Sequence, residues 1–192
     1  MKKIICLLSM LFVLMLGCAL PTAHAEFAER PVGFVVLDYD GNVDTSFYRN
    51  IYSPVRWAYH FPYYKIHDED ALRHSVAQAL TVKGVKVTPE IMGRLCEENK
   101  MDVLVVAKIY AAFERQENPM GIRSQIGPMT RVVCMADLHC YRKDNNKLLT
   151  KCIRENFLDD TNSYDPPREM IKWQMSKLVN TMEGRPIIGA DD

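Results

Sequence analysis

The sequence carries no excess of either charge: 24 lysines and arginines stand against 24 aspartates and glutamates over 192 residues. A nearly neutral chain with interspersed charges lacks the positive field that a nucleic-acid backbone demands, so nucleic acid is set aside as a partner. Internal repeats, low-complexity tracts and Gly/Ser-rich linkers are also missing, which argues for one folded unit. Only one long apolar run occurs, Ile4 to Leu20, and no second stretch of spanning length follows it. His60, His67, His74 and His139 pair with no histidine or cysteine at a spacing diagnostic of a metal, so no metal ligand and no cofactor is predicted.

What is present begins with an export signal. Lys2 and Lys3 precede the apolar run, and Pro21 and the small-residue triplet Ala23, His24, Ala25 follow it, the order of a signal peptide over residues 1–25. The expected location is the periplasm or cell envelope. Leu16, Gly17 and Cys18 resemble the lipobox of bacterial lipoproteins, so a lipid on Cys18 is the one membrane attachment the sequence suggests. Removing Lys2 and Lys3 leaves 22 basic residues against 24 acidic ones in the remainder.

Residues 26–192 read as a single α/β (α+β) domain. Val32 to Leu37 is a short, continuously apolar run ending at Asp38, Tyr39, Asp40 and Gly41, which predicts a buried strand and a turn. Asp68 is placed to cap a helix carrying Leu72, Val76, Ala79 and Leu80 and stopped by Gly84. A brief strand at Val85–Val87 is expected next, then a helix capped by Thr88, opened by Pro89 and carrying Ile91, Leu95 and Asn99. Val103 to Ile109 is apolar on both faces and belongs at the centre of a sheet. The polar stretch Glu114 to Pro128 reads as a loop.

Val132, Cys134, Ala136, Leu138 and Cys140 alternate with other residues at the period of a half-buried strand. A two-residue turn at Asn145 and Asn146 would set Leu138 opposite Ile153, Cys134 opposite Phe157 and Asp137 opposite Arg154. Asp165 and Pro166 then open a helix whose stripe is Ile171, Met175, Leu178 and Met182, with Gly184 at its end and a frayed tail over 185–192. The expected architecture is a mixed sheet of about five strands packed by about three helices, with a C-terminal hairpin before the last helix.

Four cysteines remain beyond the leader: Cys96, Cys134, Cys140 and Cys152. The hairpin register points Cys140 and Cys152 to opposite sides of the sheet, which favours free thiols acting as small apolar groups over a bridge between them.

Between Phe47 and Tyr64 lie eight aromatic residues, interleaved with Arg49, Arg56, His60, Pro54 and Pro62. Tyr, Trp and Arg anchor interfaces because they bury large area while offering a polar handle. Tyr52, Arg56, Trp57, Tyr59, Phe61 and Tyr63 are therefore the candidate contact surface. The same stretch also reads as a long connection pinned to the core by its rings.

Two resemblances add expectations. The strand ending in Asp38, Tyr39, Asp40, Gly41 and Asn42 resembles the first motif of the haloacid dehalogenase-like phosphatases, with Asn42 where that family usually has Thr. By that likeness Asp38 is a nucleophile and Asp40 an acid/base, with Mg²⁺ at Asp38. Over most of the chain, three segments are similar to the periplasmic α/β domain of the TolB N-terminal region, the LpoB-type lipoproteins and the curli-secretion protein CsgG. These are Val82 to Val87, Asp102 to Ile109 and Val132 to Cys152. That likeness implies a non-catalytic envelope module that docks an envelope protein or a cell-wall component. The alternatives are the Mg²⁺-dependent phosphatase and a structural protein that pairs with its own copies through a hairpin edge.

Overall fold

In a computed structural model, residues 29–40, 45–81, 86–117, 129–159 and 163–187 are described. The expected signal peptide, Cys18, the Gly41–Asn42 turn and Gly84 lie outside them. Strand β1, Arg30–Leu37, is buried from Val32 onward and forms parallel pairs on both sides. Its partners are β2, Tyr64–His67, and β3, Val103–Glu117. Strand β4, Met129–Arg142, pairs antiparallel with β3, and β5, Lys147–Asp159, pairs antiparallel with β4. The sheet order is β2-β1-β3-β4-β5, so β3 is the middle strand.

Continuous apolar runs make a strand that must be covered on both faces, and four helices among the described residues do so. Helix α1 (Thr45–Ala58) and helix α4 (Pro167–Met182) cover the face that carries Val32, Phe34 and Val36. Helix α2 (Asp70–Leu80) and helix α3 (Pro89–Glu98) cover the face of Val35 and Leu37. Val103 to Ala107 are fully buried between these layers, as the middle-strand reading requires. At Gly33 the sheet and α2 pack closely: a Cβ there would stand 2.9 Å from Leu104 Cδ1 and 3.0 Å from Leu72 Cδ2.

Several expectations are corrected. The ring-rich stretch is helix α1 as far as Ala58, and only its last residues are a turn leading into β2. Phe47, Ile51, Val55 and Ala58 fall at helical spacing and are buried, and that burial overrides the internal Pro54 and the modest helix propensity of aromatic residues. A second unanticipated element is β2, too short to announce itself. Lys86 to Thr88 is irregular, so the brief strand expected there does not form in its described part. Thr88 does cap α3, its hydroxyl accepting from the Ile91 N–H at 3.4 Å. Asp68 is not the cap of α2; Glu69 holds that position, and Asp68 instead accepts from the Tyr48 hydroxyl and from Arg73. Pro166, not Asp165, stands at the cap position of α4.

Strand β3 runs on past the body of the sheet. Its last pairing with β1 is at Lys108, a bulge follows between Ile109 and Ala111, and the strand continues with β4 to Glu117. The segment 114–117 is thus strand rather than the start of a loop.

The hairpin also differs from expectation. Its connection is four residues, Lys143 to Asn146, with Arg142 opposite Lys147, Leu138 opposite Lys151, Cys134 opposite Glu155 and Asp137 opposite Cys152. All four loop positions are needed because Asp144 is bound by Arg142 (2.8 Å) and Arg30 (3.0 Å) and Asn146 accepts from the Tyr141 hydroxyl (2.9 Å). The shift is by two residues, so every side chain keeps its face: Val132, Cys134, Ala136, Leu138 and Cys140 are buried as expected. Arg154 still reaches Asp137, diagonally, at 2.7 Å.

Helix α4 buries Ile171, Met175, Leu178 and Met182. It ends in a Schellman motif, with Gly184 at φ 66, its N–H on the Thr181 carbonyl and the Arg185 N–H on the Asn180 carbonyl. Arg185 is therefore fixed rather than frayed. No helix among the described residues is long and apolar enough to cross a membrane.

Candidate functional site

Once Phe47, Ile51, Val55 and Ala58 are committed to the core, the opposite face of α1 is set by helical geometry. Arg49, Ser53, Arg56 and Trp57 fall at i, i+4, i+7 and i+8 on it, and His60 continues the line just past the helix end. Together with Tyr52 these residues line a groove of about 510 Å³. Trp57 is 79% exposed. Its carbonyl accepts from the Arg185 guanidinium at 3.3 Å and lies 3.2 Å from His60 Nδ1, which ties the turn after α1 to the end of α4. Tyr52 is held from behind: its ring stacks on Tyr48 at 5.5 Å, and both rings lie against Phe34. The groove wall is therefore a helix backed by core rings, a rigid platform.

The charge of this face is also unbalanced. Arg30, Arg73, Arg94, Arg131, Arg142 and Arg154 each hold a carboxylate. Arg49 and Arg56, like Arg115, Arg168 and Arg185, form no ion pair among the described residues, but only Arg49 and Arg56 share one groove, and no acid lines it. In a chain of balanced charge this is a local positive surface beside an exposed indole.

The structure thus brings together three of the six predicted contact residues, Tyr52, Arg56 and Trp57, and adds Arg49, Ser53 and His60. Tyr59 is a correction: it is 1% exposed, its ring packs edge-on to Tyr64 at 5.1 Å, and its hydroxyl lies 3.4 Å from Cys140 Sγ. Just past the helix end, with its N–H on the Val55 carbonyl at 2.8 Å, it turns into the core, where burial drives its pKa far upward. Phe61 and Tyr63 are 77% and 52% exposed but sit in the following turn, outside the groove lining. The signal that would have located Arg49, Ser53 and His60 is their helical spacing, legible only once α1 is recognised.

Three other polar clusters lie away from the groove. Asp38 and Asp40 follow the end of β1, Asp38 half-buried and Asp40 exposed. Among the described residues no group of three or more His, Cys, Asp or Glu side chains is arranged to hold a metal.

On the open part of the sheet, Asp137 accepts from the Tyr110 hydroxyl at 2.8 Å and from Arg154. Burial pushes its carboxyl up, but hydrogen bonds from Tyr110, Cys152 and Arg154 outweigh that and hold it below its ordinary value. The bond to Asp137 and burial raise the Cys152 thiol, which keeps this exposed cysteine protonated and a poor nucleophile.

At the other end, the side chain of Glu183 is almost wholly buried. One of its oxygens accepts from the Tyr64 hydroxyl (3.1 Å) and Arg142 (3.2 Å), joining β2, β4 and the end of α4. These last two clusters lock strands to one another.

No family model matches the sequence, and no curated protein matches it. Among solved structures the chain is similar to a hypothetical protein of Chlamydia trachomatis at 12% identity and a TM-score of 0.40, over 85% of this chain and 100% of that one. A lipoprotein of Neisseria meningitidis aligns at 14% identity and a TM-score of 0.34, over 81% and 99%. The PelC dodecamer of Paraburkholderia phytofirmans aligns at 8% identity and a TM-score of 0.33, over 80% and 87%. Scores this low assign neither an activity nor a partner to this chain.

Proposed function

We propose that this protein is an exported, non-catalytic binding or scaffold module of the cell envelope that docks a protein or cell-wall partner through the outer face of α1. The observation that carries the reading is the groove of Arg49, Tyr52, Ser53, Arg56, Trp57 and His60, where an indole lies open beside two arginines without acidic partners. Exposed Trp and Arg side chains on a fixed backbone are what an interface hot spot is made of. The export part of the proposal rests on Lys2, Lys3, the run from Ile4 to Leu20 and the Ala23-His24-Ala25 triplet. The docking role agrees with the domain resemblance carried by Asp102 to Ile109 and Val132 to Cys152.

The test has two arms. Mass spectrometry of protein recovered from an expressing bacterium reads the N-terminus: Glu26 supports soluble export, a lipid-modified Cys18 supports tethering, and an intact Met1 refutes export. Cosedimentation with isolated cell wall and chemical cross-linking in envelope preparations then compare wild type with the Trp57→Ala and Arg56→Ala variants. Attachment lost in both variants supports the groove, and attachment retained in both removes it as the docking surface.

A further inference from the structure

We infer that the groove on α1 takes a carboxylate-bearing acidic oligosaccharide, an inference that rests on reading this groove as the docking surface. The charge argument comes first. Two guanidinium groups line the groove without an ion pair among the described residues, and no acid lines it, so it complements an anion. Arginine reads carboxylates through paired N–H donors, a match of shape as well as charge. Arg49 and Arg56 are seven residues apart on one helix, about 10 Å along its axis, which suits two carboxylates carried on separate units of a linear chain.

The second argument decides between a glycan and a peptide. A peptide held by strand addition needs the main-chain groups of a sheet edge, so only a peptide read through its side chains, such as an acidic one, competes with a glycan here. The groove wall is the side of a helix, whose N–H and C=O groups are mostly spent within it; Pro54 withholds a donor from the Asn50 carbonyl, and the Trp57 carbonyl is taken by Arg185 and approached by His60. Recognition therefore falls chiefly to side chains: guanidinium N–H groups, the Ser53 and Tyr52 hydroxyls, the His60 imidazole and the indole N–H. A sugar chain is suited to such a surface. Its hydroxyls and carboxylates take up the donors, and the apolar face of a pyranose ring lies flat on an exposed indole such as Trp57.

The experiment titrates the purified protein with three probes: a hexamer of galacturonic acid, neutral maltohexaose and hexaglutamate. Binding is followed by calorimetry and by indole fluorescence in a Trp173→Phe background, which leaves Trp57 as the single reporter, since the chain has two tryptophans. The uronate hexamer is expected to bind saturably with a change in Trp57 emission, and to weaken as ionic strength is raised about tenfold. Maltohexaose should bind at least about tenfold more weakly, and Arg49→Gln/Arg56→Gln should lose the uronate hexamer by a similar factor or more. Circular dichroism of that variant must match wild type, as two exposed helix positions allow.

Hexaglutamate binding as tight as the uronate hexamer overturns the choice of a glycan, and equal affinity for maltohexaose overturns the charge argument. If the uronate hexamer fails while cell-wall or envelope attachment still depends on Trp57, the ligand class is wrong and the docking surface stands. If neither depends on Trp57, both readings fall together.

Discussion

Ile51→Ala separates a helix with a core stripe from a loose connection pinned by its rings. Ile51 is fully buried in the middle of α1, between Phe47 and Val55 on the same stripe. The substitution deletes about three carbons, which at ~0.8 kcal/mol each costs about 2.5 kcal/mol in transfer free energy. The space left between α1, α4 and the sheet cannot fully collapse, so the total loss is set at about 3–4 kcal/mol, inside the range for buried Ile→Ala changes. For a domain of this size that lowers Tm by about 6–16 °C. Urea unfolding followed by far-ultraviolet circular dichroism measures the loss, with an unchanged slope showing that the same surface is exposed on unfolding. Ser53→Ala, two residues on and facing out, should stay within about 0.5 kcal/mol of wild type. Equal stabilities for Ile51→Ala and wild type, or equal losses at positions 51 and 53, would refute the assignment of faces on α1.

Three further outcomes follow from the packing and the titrating groups. Gly33→Ala should destabilise by about 1–3 kcal/mol in the same urea assay, because its Cβ would press on Leu104 and Leu72 between the sheet and α2. His139 is buried with Nδ1 3.0 Å from the Thr150 hydroxyl, and burial depresses its folded pKa below the unfolded value. Its contribution to stability is therefore complete above the unfolded pKa of about 6.5 and is lost as pH falls through the folded one; His139→Gln should flatten stability against pH in that window. Burial raises the thiols of Cys96 and Cys140 to about 12 and that of Cys134 to about 11, so of the four described cysteines Cys152 alone should react with a thiol reagent before unfolding, slowly at neutral pH, and the other three only in denaturant. Native reactivity at Cys140 would contradict its burial.

The sequence made the middle strand, the inward face of β4 and the stripe of α4 legible because each rests on one unmixed period. Val103 to Ala107 is apolar without interruption, Val132 to Cys140 alternates, and Ile171 to Met182 repeats at helical spacing. Helix α1 was hidden because its period is overlaid by Pro54 and by rings on both sides, so aromatic density masked the stripe of Phe47, Ile51, Val55 and Ala58. The hairpin register was missed for a different reason. Asn145 and Asn146 suit a tight turn locally, but Asp144 answers to Arg30, far away in β1, and no local rule sees that contact. Tyr59 and Trp57 show the same limit within the site: both are large, amphipathic residues, and only their places just past and within the end of α1 send one inward and the other outward.

That division of one segment into two roles accounts for its density of rings. Phe47, Tyr48, Tyr52 and Tyr59 are drawn onto the core or its margin, where they replace the aliphatic side chains that such a stripe would otherwise need. Covering Phe34 with Tyr48 and Tyr52 also fixes the back of the groove, so the placement of Arg49, Arg56 and Trp57 depends on packing they take no part in. The far end is fixed separately. Arg185 holds the Trp57 carbonyl, and Glu183 just before it holds Tyr64 and Arg142, so α1, β2, β4 and α4 meet within a few residues of the exposed indole. A contact surface on a connection would have to be ordered by its ligand at a cost in conformational entropy; on α1 that ordering is already supplied by the core.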